Sequence, residues 1–283
     1  MKIIVLTILT LVAFASNSIL NRFGVAGLGM DPGAFAVVRV LSGAAMLGAI
    51  VLLRGRKAAV ASPRVFRRVG SATALALYMI GFSMAYLTLD AGVGALILFG
   101  ATQITMFAGA LFGGERLTAL RIGGAGIALS GLAVLVWPAD GSAALPLAGA
   151  GLMAAAGFGW GLYSLAGRGE TDPLASSAAN FAICLPLVLP LLAFGEPGWS
   201  GPGLAVAMVA GAVTSGLGYA LWYSVLPALG AQRAAVAQLS VPLIAALGGV
   251  ILLGEAVGWR FWVAAALVLG GIGLSVITRA RTP

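Results

Sequence analysis

Ten apolar runs follow one another along this chain of 283 residues, each long enough to cross a bilayer as a helix. A hydrocarbon core of roughly 30 Å needs about 20 apolar residues per helix. The pattern predicts spans at about 3–22, 33–53, 69–89, 92–112, 119–137, 145–166, 174–194, 203–226, 233–253 and 259–278. Short breaks of Gly, Pro, Asp or clustered Arg separate them. The longest, Arg54–Arg68, leaves no room for a soluble domain. Charged residues make up 8 % of the chain, against about 25 % in soluble proteins, too few to cover a globule in water. The expected fold class is an all-α polytopic membrane protein with ten transmembrane helices.

The residues that are missing narrow the chemistry. The chain has no histidine, and Lys2 and Lys57 are its only lysines, so no lysine lies inside a span. Zinc–imidazole sites and Ser-His or Cys-His nucleophiles are excluded. Cys184, the single cysteine, excludes an internal disulfide and reads as a small buried hydrophobe. No span holds Asp or Glu away from its ends, so a paired-carboxylate protease site is excluded too. The chain is expected not to be an enzyme, with no catalytic residue, metal or cofactor.

Charge sets the expected orientation. Arg54, Arg56, Lys57, Arg64, Arg67 and Arg68 crowd the second break with no acid among them, which puts that break inside by the positive-inside rule. Alternating from there, the inner segments also hold Lys2, Arg116, Arg121, Arg168, Arg279 and Arg281. The outer breaks carry one acid each: Asp31, Asp90, Asp140, Glu196 and Glu255. Arg22 and Arg260 border outer breaks and are the exceptions. Both termini are expected to be cytoplasmic, with the chain multi-pass in a bacterial inner membrane. The basic run reads as topogenic, so no nucleic-acid partner is expected. Ala13-Phe14-Ala15 resembles a signal-peptidase site, but the apolar character continues through Leu20 and the span is expected to be retained.

An internal repeat follows. Gly113-Gly114-Glu115-Arg116-Leu117 trails the fourth span, and Leu253-Gly254-Glu255-Ala256-Val257 trails the ninth, an offset of 140. At that offset Ala91 pairs with Ala231, Ile104 with Ile244 and Gly131 with Gly271. Asp31-Pro32 matches Asp172-Pro173 at an offset of 141. The halves 1–141 and 142–283 then read as two five-helix units. Five is odd, so the second enters the membrane from the opposite side. Inverted repeats of this kind put a substrate site near the midplane between the halves.

Two five-helix units, each ending its fourth helix in a Gly-Glu turn, resemble the drug/metabolite transporter superfamily in its EamA branch. Asp31-Pro32 followed by Phe35 and Arg39, and Pro242 in the ninth span, belong to the same resemblance. The first repeat departs from it, carrying Thr102 where the second has Pro242. Length and aromatic content are similar to its aromatic amino-acid exporter (YddG-type) members. The resemblance implies a small-molecule transporter and a structural role for Glu115 and Glu255.

Polar groups inside a bilayer are costly and face neighbouring helices or a water-filled path. Arg39 is the deepest charge; it reads either as an anchor reaching the outer interface or bonding helix carbonyls, or as a contact to a substrate carboxylate. Tyr78, Phe82 and Tyr86 share one face of the third span. Trp160 and Tyr163 form a same-face pair on the sixth span, and Tyr219 and Trp222 another on the eighth. These rings read either as packed interfaces or as the walls of a cavity, with Asn17, Gln103 and Gln238 fixing a solute's orientation. The candidate substrate site is therefore Asn17, Tyr78, Phe82, Gln103, Trp160, Tyr163, Tyr219, Trp222 and Gln238. The expected function is export of neutral and aromatic amino acids by alternating access without proton coupling. A proton-coupled exporter of sugars or amines, or a passive channel, stays open beside it, as does the oligomeric state. The expected partners are the small-molecule substrate and the lipid bilayer.

Overall fold

The computed structural model describes residues 2–55, 65–113, 118–137, 145–168, 170–194 and 198–277. Among these residues every regular element is helical. The helices are α1 (Lys2–Arg22), α2 (Pro32–Leu53), α3 (Val65–Ala85), α4 (Ala91–Phe112), α5 (Ala119–Val136) and α6 (Leu147–Ala166). They are followed by α7 (Pro173–Val188), α8 (Gly201–Val209), α9 (Gly218–Gln238), α10 (Val241–Leu253) and α11 (Trp259–Ile277). A wide π-type stretch, Ala210–Leu217, joins α8 to α9 without a break, leaving ten rods. Of the residues the sequence singled out, Arg56, Lys57, Arg64, Glu115, Arg116, Asp140, Glu196, Arg279 and Arg281 lie outside the described ones.

Seven of the described segments are long and apolar enough to cross a membrane, among them Lys2–Gly27, Pro32–Leu53 and Ala91–Phe112. Two rods fall short for visible reasons. Helix α3 opens with Arg67-Arg68, and α6 carries five glycines with Trp160, Tyr163 and Ser164. The apolar part of α11 described here, Trp259–Ser275, is a shorter piece. Large apolar side chains face outward along the rods, including Ile4, Leu41, Leu111, Ile122, Leu129, Leu247 and Ile251. An apolar exterior of this extent suits lipid rather than water.

Helix starts follow local chemistry. Asp31 accepts a hydrogen bond from Ala34 N at 2.7 Å, with Pro32 opening α2. Asp172 does the same for Ala175 N at 3.2 Å, with Pro173 opening α7. A carboxylate satisfies an otherwise orphaned N–H there, and proline has no N–H to lose. The two Asp-Pro matches in the sequence are thus helix caps of the same kind.

Glycines set how closely the rods approach. A side chain at Gly157 would meet Leu98 O of α4 at 2.6 Å, and one at Gly159 would meet Ala74 O of α3 at 2.7 Å. Helix α6 therefore lies against both. Thr102 Oγ1 donates to Gly157 O across this contact at 3.1 Å. Helices α5 and α11 form the most extensive pair, closed by Gly124, Gly131 and Gly271.

One sequence boundary is displaced. The backbone of α9 is helical through 227–232, where a break is expected, and the described interruption falls at Leu239–Ser240. Pro242 accordingly sits in the first turn of α10 rather than inside a continuous ninth helix.

Candidate functional site

A cavity of about 440 Å³ opens among α1, α3, α4, α6, α7 and α9. That volume lies within the usual range for small-molecule pockets, about 300–1,000 Å³. Its apolar wall is aromatic: Phe14, Phe99, Trp160, Tyr163, Tyr219, Trp222 and Tyr223. The rings form a continuous chain. Tyr78 meets Trp160 at 5.1 Å between centroids, Trp160 meets Tyr219 at 5.6 Å, and Phe14 meets Tyr219 at 5.9 Å and Trp222 at 5.7 Å. Tyr163 stacks on Trp160 at 5.5 Å. Tilted and edge contacts at these distances suit ring quadrupoles and leave a fixed, flat-sided wall.

Polar residues line the cavity as well: Arg68, Ser71, Arg168, Glu170, Ser176, Ser177 and Asn180. Ser176 Oγ donates to Glu170 Oε2 at 2.6 Å, and Arg68 Nη2 lies 3.8 Å from the same oxygen. Ser177 Oγ is bonded to the hydroxyls of Tyr163 and Tyr223, each at 3.1 Å. Gln103 and Gln238 line the cavity as well. A second cavity, of about 510 Å³, shares Gln103, Met106, Arg168, Ala235 and Gln238 with the first and extends toward α5 and α11.

Six of the nine residues read from the sequence thus stand on the cavity wall: Gln103, Trp160, Tyr163, Tyr219, Trp222 and Gln238. Asn17, Tyr78 and Phe82 do not line it: Tyr78 and Phe82 face a buried arginine, and Asn17 is bonded to Thr214 and Ser215. Arg39 is 0 % exposed, so it does not reach an interface as an anchor would. Its Nη2 donates to Tyr78 Oη at 2.9 Å and its Nε to Ser215 Oγ at 3.2 Å. The guanidinium carbon stands 4.8 Å from the Phe82 ring centroid and 5.4 Å from that of Tyr78. Ser215 Oγ in turn donates to Asn17 Oδ1 at 3.1 Å. No carboxylate pairs with Arg39 among the described residues; ring faces and hydroxyls carry its charge instead. The wide turn Ala210–Leu217 makes this possible, since it brings Thr214 and Ser215 to α1 and α2 and sets Gly211 against the Arg39 carbonyl.

Several cavity residues escaped the sequence reading. Arg68 belongs to α3 and is 8 % exposed, although the charge pattern assigned it to a solvated break. Glu170 falls between the sixth and seventh spans, yet it lines the cavity. Phe14 stands one turn before Asn17, a spacing that already puts the two on one face. Asn180 is a polar side chain inside an apolar span, the same signal that singled out Gln103.

At the opposite end of the helices a cluster of bonds ties three segments together. Arg22 Nη2 pairs with Asp90 at 3.3 Å, Arg22 Nε with Glu255 at 3.4 Å, and Arg22 Nη1 donates to the carbonyls of Tyr86 and Leu87, each at 3.1 Å. These bonds join the end of α1, the α3–α4 connection and the α10–α11 connection.

Comparison with known proteins gives three likenesses. Residues 147–277 match the model of the EamA-like transporter family. Uncharacterized protein PA1977 of Pseudomonas aeruginosa is 47 % identical over 282 residues, covering 98 % of this chain and 96 % of that protein. A crystal structure of a protein 19 % identical in sequence covers 99 % of each chain with a TM-score of 0.67, a likeness of fold.

Proposed function

The chain belongs to the EamA-like transporter family, a family of membrane transporters of small molecules, and on that premise we propose that it exports neutral and aromatic amino acids by alternating access. The observation that carries this reading is the cavity itself, lined by aromatic rings together with charged and amide side chains. That lining suits a solute with a flat apolar part and a charged head.

Alternating access needs two halves that rock about a central site. Residues 1–141 and 142–283 are proposed to be those halves, as inverted five-helix repeats. Their packing supports this. A side chain at Gly131 would meet Leu267 Cβ at 2.8 Å, and one at Gly271 would meet Ile127 Cβ at 3.2 Å. Leu267 and Gly271 are Ile127 and Gly131 shifted by 140, so the contact is reciprocal, as across a twofold axis. The interrupted ninth helix beside Gln238 fits the same class, in which broken helices border the substrate site.

The basic ends of the helices are proposed to face the cytoplasm of a bacterial inner membrane, with both termini inside. The cavity holds Arg68 and Arg168 at those ends, while Arg22, Asp90 and Glu255 seal the other. In this reading the structure is the inward-open form, loaded from the cytoplasm. Purified protein in liposomes carrying labelled phenylalanine, competed by each amino acid and by a panel of sugars and amines, tests the reading. Saturable uptake inhibited by neutral and aromatic amino acids supports it. Inhibition by sugars or amines alone, or uptake that does not saturate, overturns it.

A further inference from the structure

Four buried side-chain atoms lack a hydrogen-bond partner among the described residues: Asn21 Oδ1, Arg39 Nη1, Arg68 Nε and Asn180 Oδ1. Two of them belong to residues on the wall of the same cavity, Arg68 and Asn180. Both residues are more than nine-tenths buried, at 8 % and 7 % exposure. They are opposite in kind. Arg68 Nε–H is a donor on a permanent cation, and Asn180 Oδ1 is a neutral acceptor. Leaving either unmet in a low-dielectric interior is costly, and buried polar groups are nearly always satisfied. A solute bearing an anionic acceptor and a cationic donor meets both.

We infer that Arg68 and Asn180 form the head-group subsite of the cavity, Arg68 binding the α-carboxylate of an amino acid and Asn180 Oδ1 accepting from its α-ammonium. This rests on the amino-acid reading above and adds to it the residues and the orientation of the solute. Glu170 positions the arginine. Its Oε2 accepts from Ser176 Oγ at 2.6 Å, while the Arg68 Nη2 separation of 3.8 Å is too long for a closed charge-assisted bond. The guanidinium is therefore positioned beside Glu170. With the head group on α3 and α7, the solute's side chain extends toward Tyr163, Trp160 and Tyr219.

The site then requires a free carboxylate and a free amine together. A pocket whose buried polar groups are matched to a ligand rejects analogues that leave those groups unpaired far more strongly than it rejects small apolar changes. The test is binding to the purified full-length protein in detergent, by calorimetry, with phenylalanine, phenylalanine methyl ester and 3-phenylpropionate. Wild type should prefer phenylalanine to either analogue by at least about tenfold. In Arg68→Gln the ratio of phenylalanine to ester should collapse toward one, and in Asn180→Ala so should the ratio of phenylalanine to 3-phenylpropionate. If the first variants do not fold, Arg68→Lys and Asn180→Ser, which keep the charge and an acceptor but not the geometry, should narrow the same ratios by a smaller factor. Equal binding of phenylalanine and its ester by wild type, or unchanged ratios in folded variants, overturns the subsite and leaves the amino-acid reading standing. A wild type that binds none of the three while binding a sugar or an amine takes both down.

Discussion

The carboxylate of Glu255 accepts a hydrogen bond from the backbone N–H of Ala91, the first residue of α4, at 2.9 and 3.1 Å from its two oxygens. The loop between α10 and α11 thereby caps a helix 164 residues away in the chain. Asp90 stands at the N-cap of α4, but its side chain makes no capping bond and pairs with Arg22 instead. Glu255 supplies what Asp90 does not. Gly254, at φ +68°, turns the chain out of α10, and Gly249 leaves the space that the Glu255 carboxylate fills.

That cap yields the first prediction. Burial holds the Glu255 carboxyl above its ordinary range, and the nearby Asp90 charge adds to this, while the Ala91 N–H and Arg22 pull the other way. A carboxyl raised in the folded state contributes stability that is fully present below its unfolded pKa and lost as pH rises through the folded one. Glu255→Gln keeps an acceptor for Ala91 without the charge. It should be at least as stable as wild type at neutral pH, and the gap should close on acidification toward about pH 4, the ordinary carboxylate range. Glu255→Ala orphans the Ala91 N–H and should cost about 1–3 kcal/mol. Thermal melting in detergent at both pH values checks all three statements.

The second prediction concerns Arg39. Its charge is held by Ser215, Tyr78 and the Phe82 face, not by a carboxylate. Removing the charge leaves the Tyr78 hydroxyl unpaired and Ser215 Oγ with Asn17 alone, so Arg39→Met should destabilise by about 2–4 kcal/mol. Removing Tyr78 Oη as well makes the surroundings apolar together. Arg39→Met with Tyr78→Phe should therefore cost less than the sum of the two single changes, by at least about 1 kcal/mol. Additive losses in a double-mutant cycle would show that the Arg39–Tyr78 bond carries no coupling.

The third prediction separates wall from scaffold. Trp160 lines the cavity and touches Tyr78, Tyr163 and Tyr219, whereas Tyr78 is bound to Arg39 behind it. Aromatic contacts of this kind contribute about 0.5–1.5 kcal/mol each beyond area burial. Trp160→Ala should weaken binding of aromatic solutes by several-fold, read as a rise in the half-saturating concentration for transport. Tyr78→Phe keeps the ring and loses the hydroxyl, so it should lower the melting temperature and leave that concentration unchanged. A reversal of the two effects would put the site on the α2–α3 side of Tyr78.

The contrast between those residues also marks how much could be read from the chain alone. Helix spans and the Asp31 and Asp172 caps were legible because apolar length and Asp-Pro chemistry are local. Ring pairs such as Trp160–Tyr163 were legible from helical spacing. The fate of Arg39 was not, because it depends on the wide turn Ala210–Leu217 bringing Ser215 across from a helix 176 residues away. Arg68 and Glu170 were hidden for a different reason. Hydropathy assigns a charge near a span end to solvent, yet α3 begins early enough to carry Arg68 into the cavity wall.

The last prediction concerns coupling. A proton-driven carrier needs a group that changes protonation and faces each side in turn. Glu170 is the one carboxylate on the wall of either cavity among the described residues, and it is engaged by Ser176 and Arg68. A cycle through Glu170 would have to break that cluster at every turnover. A zwitterionic amino acid brings no net charge, so the membrane potential, worth about 2.3 kcal/mol per charge per 100 mV, exerts no net pull on it. Proteoliposomes should therefore move phenylalanine down its gradient with no imposed pH difference, and a potassium diffusion potential should leave the rate unchanged. Glu170→Gln should alter affinity through Arg68 but should not change the pH dependence of transport. Accumulation against the gradient, driven by a pH step, abolished by a protonophore and lost in Glu170→Gln, would assign Glu170 the coupling role instead.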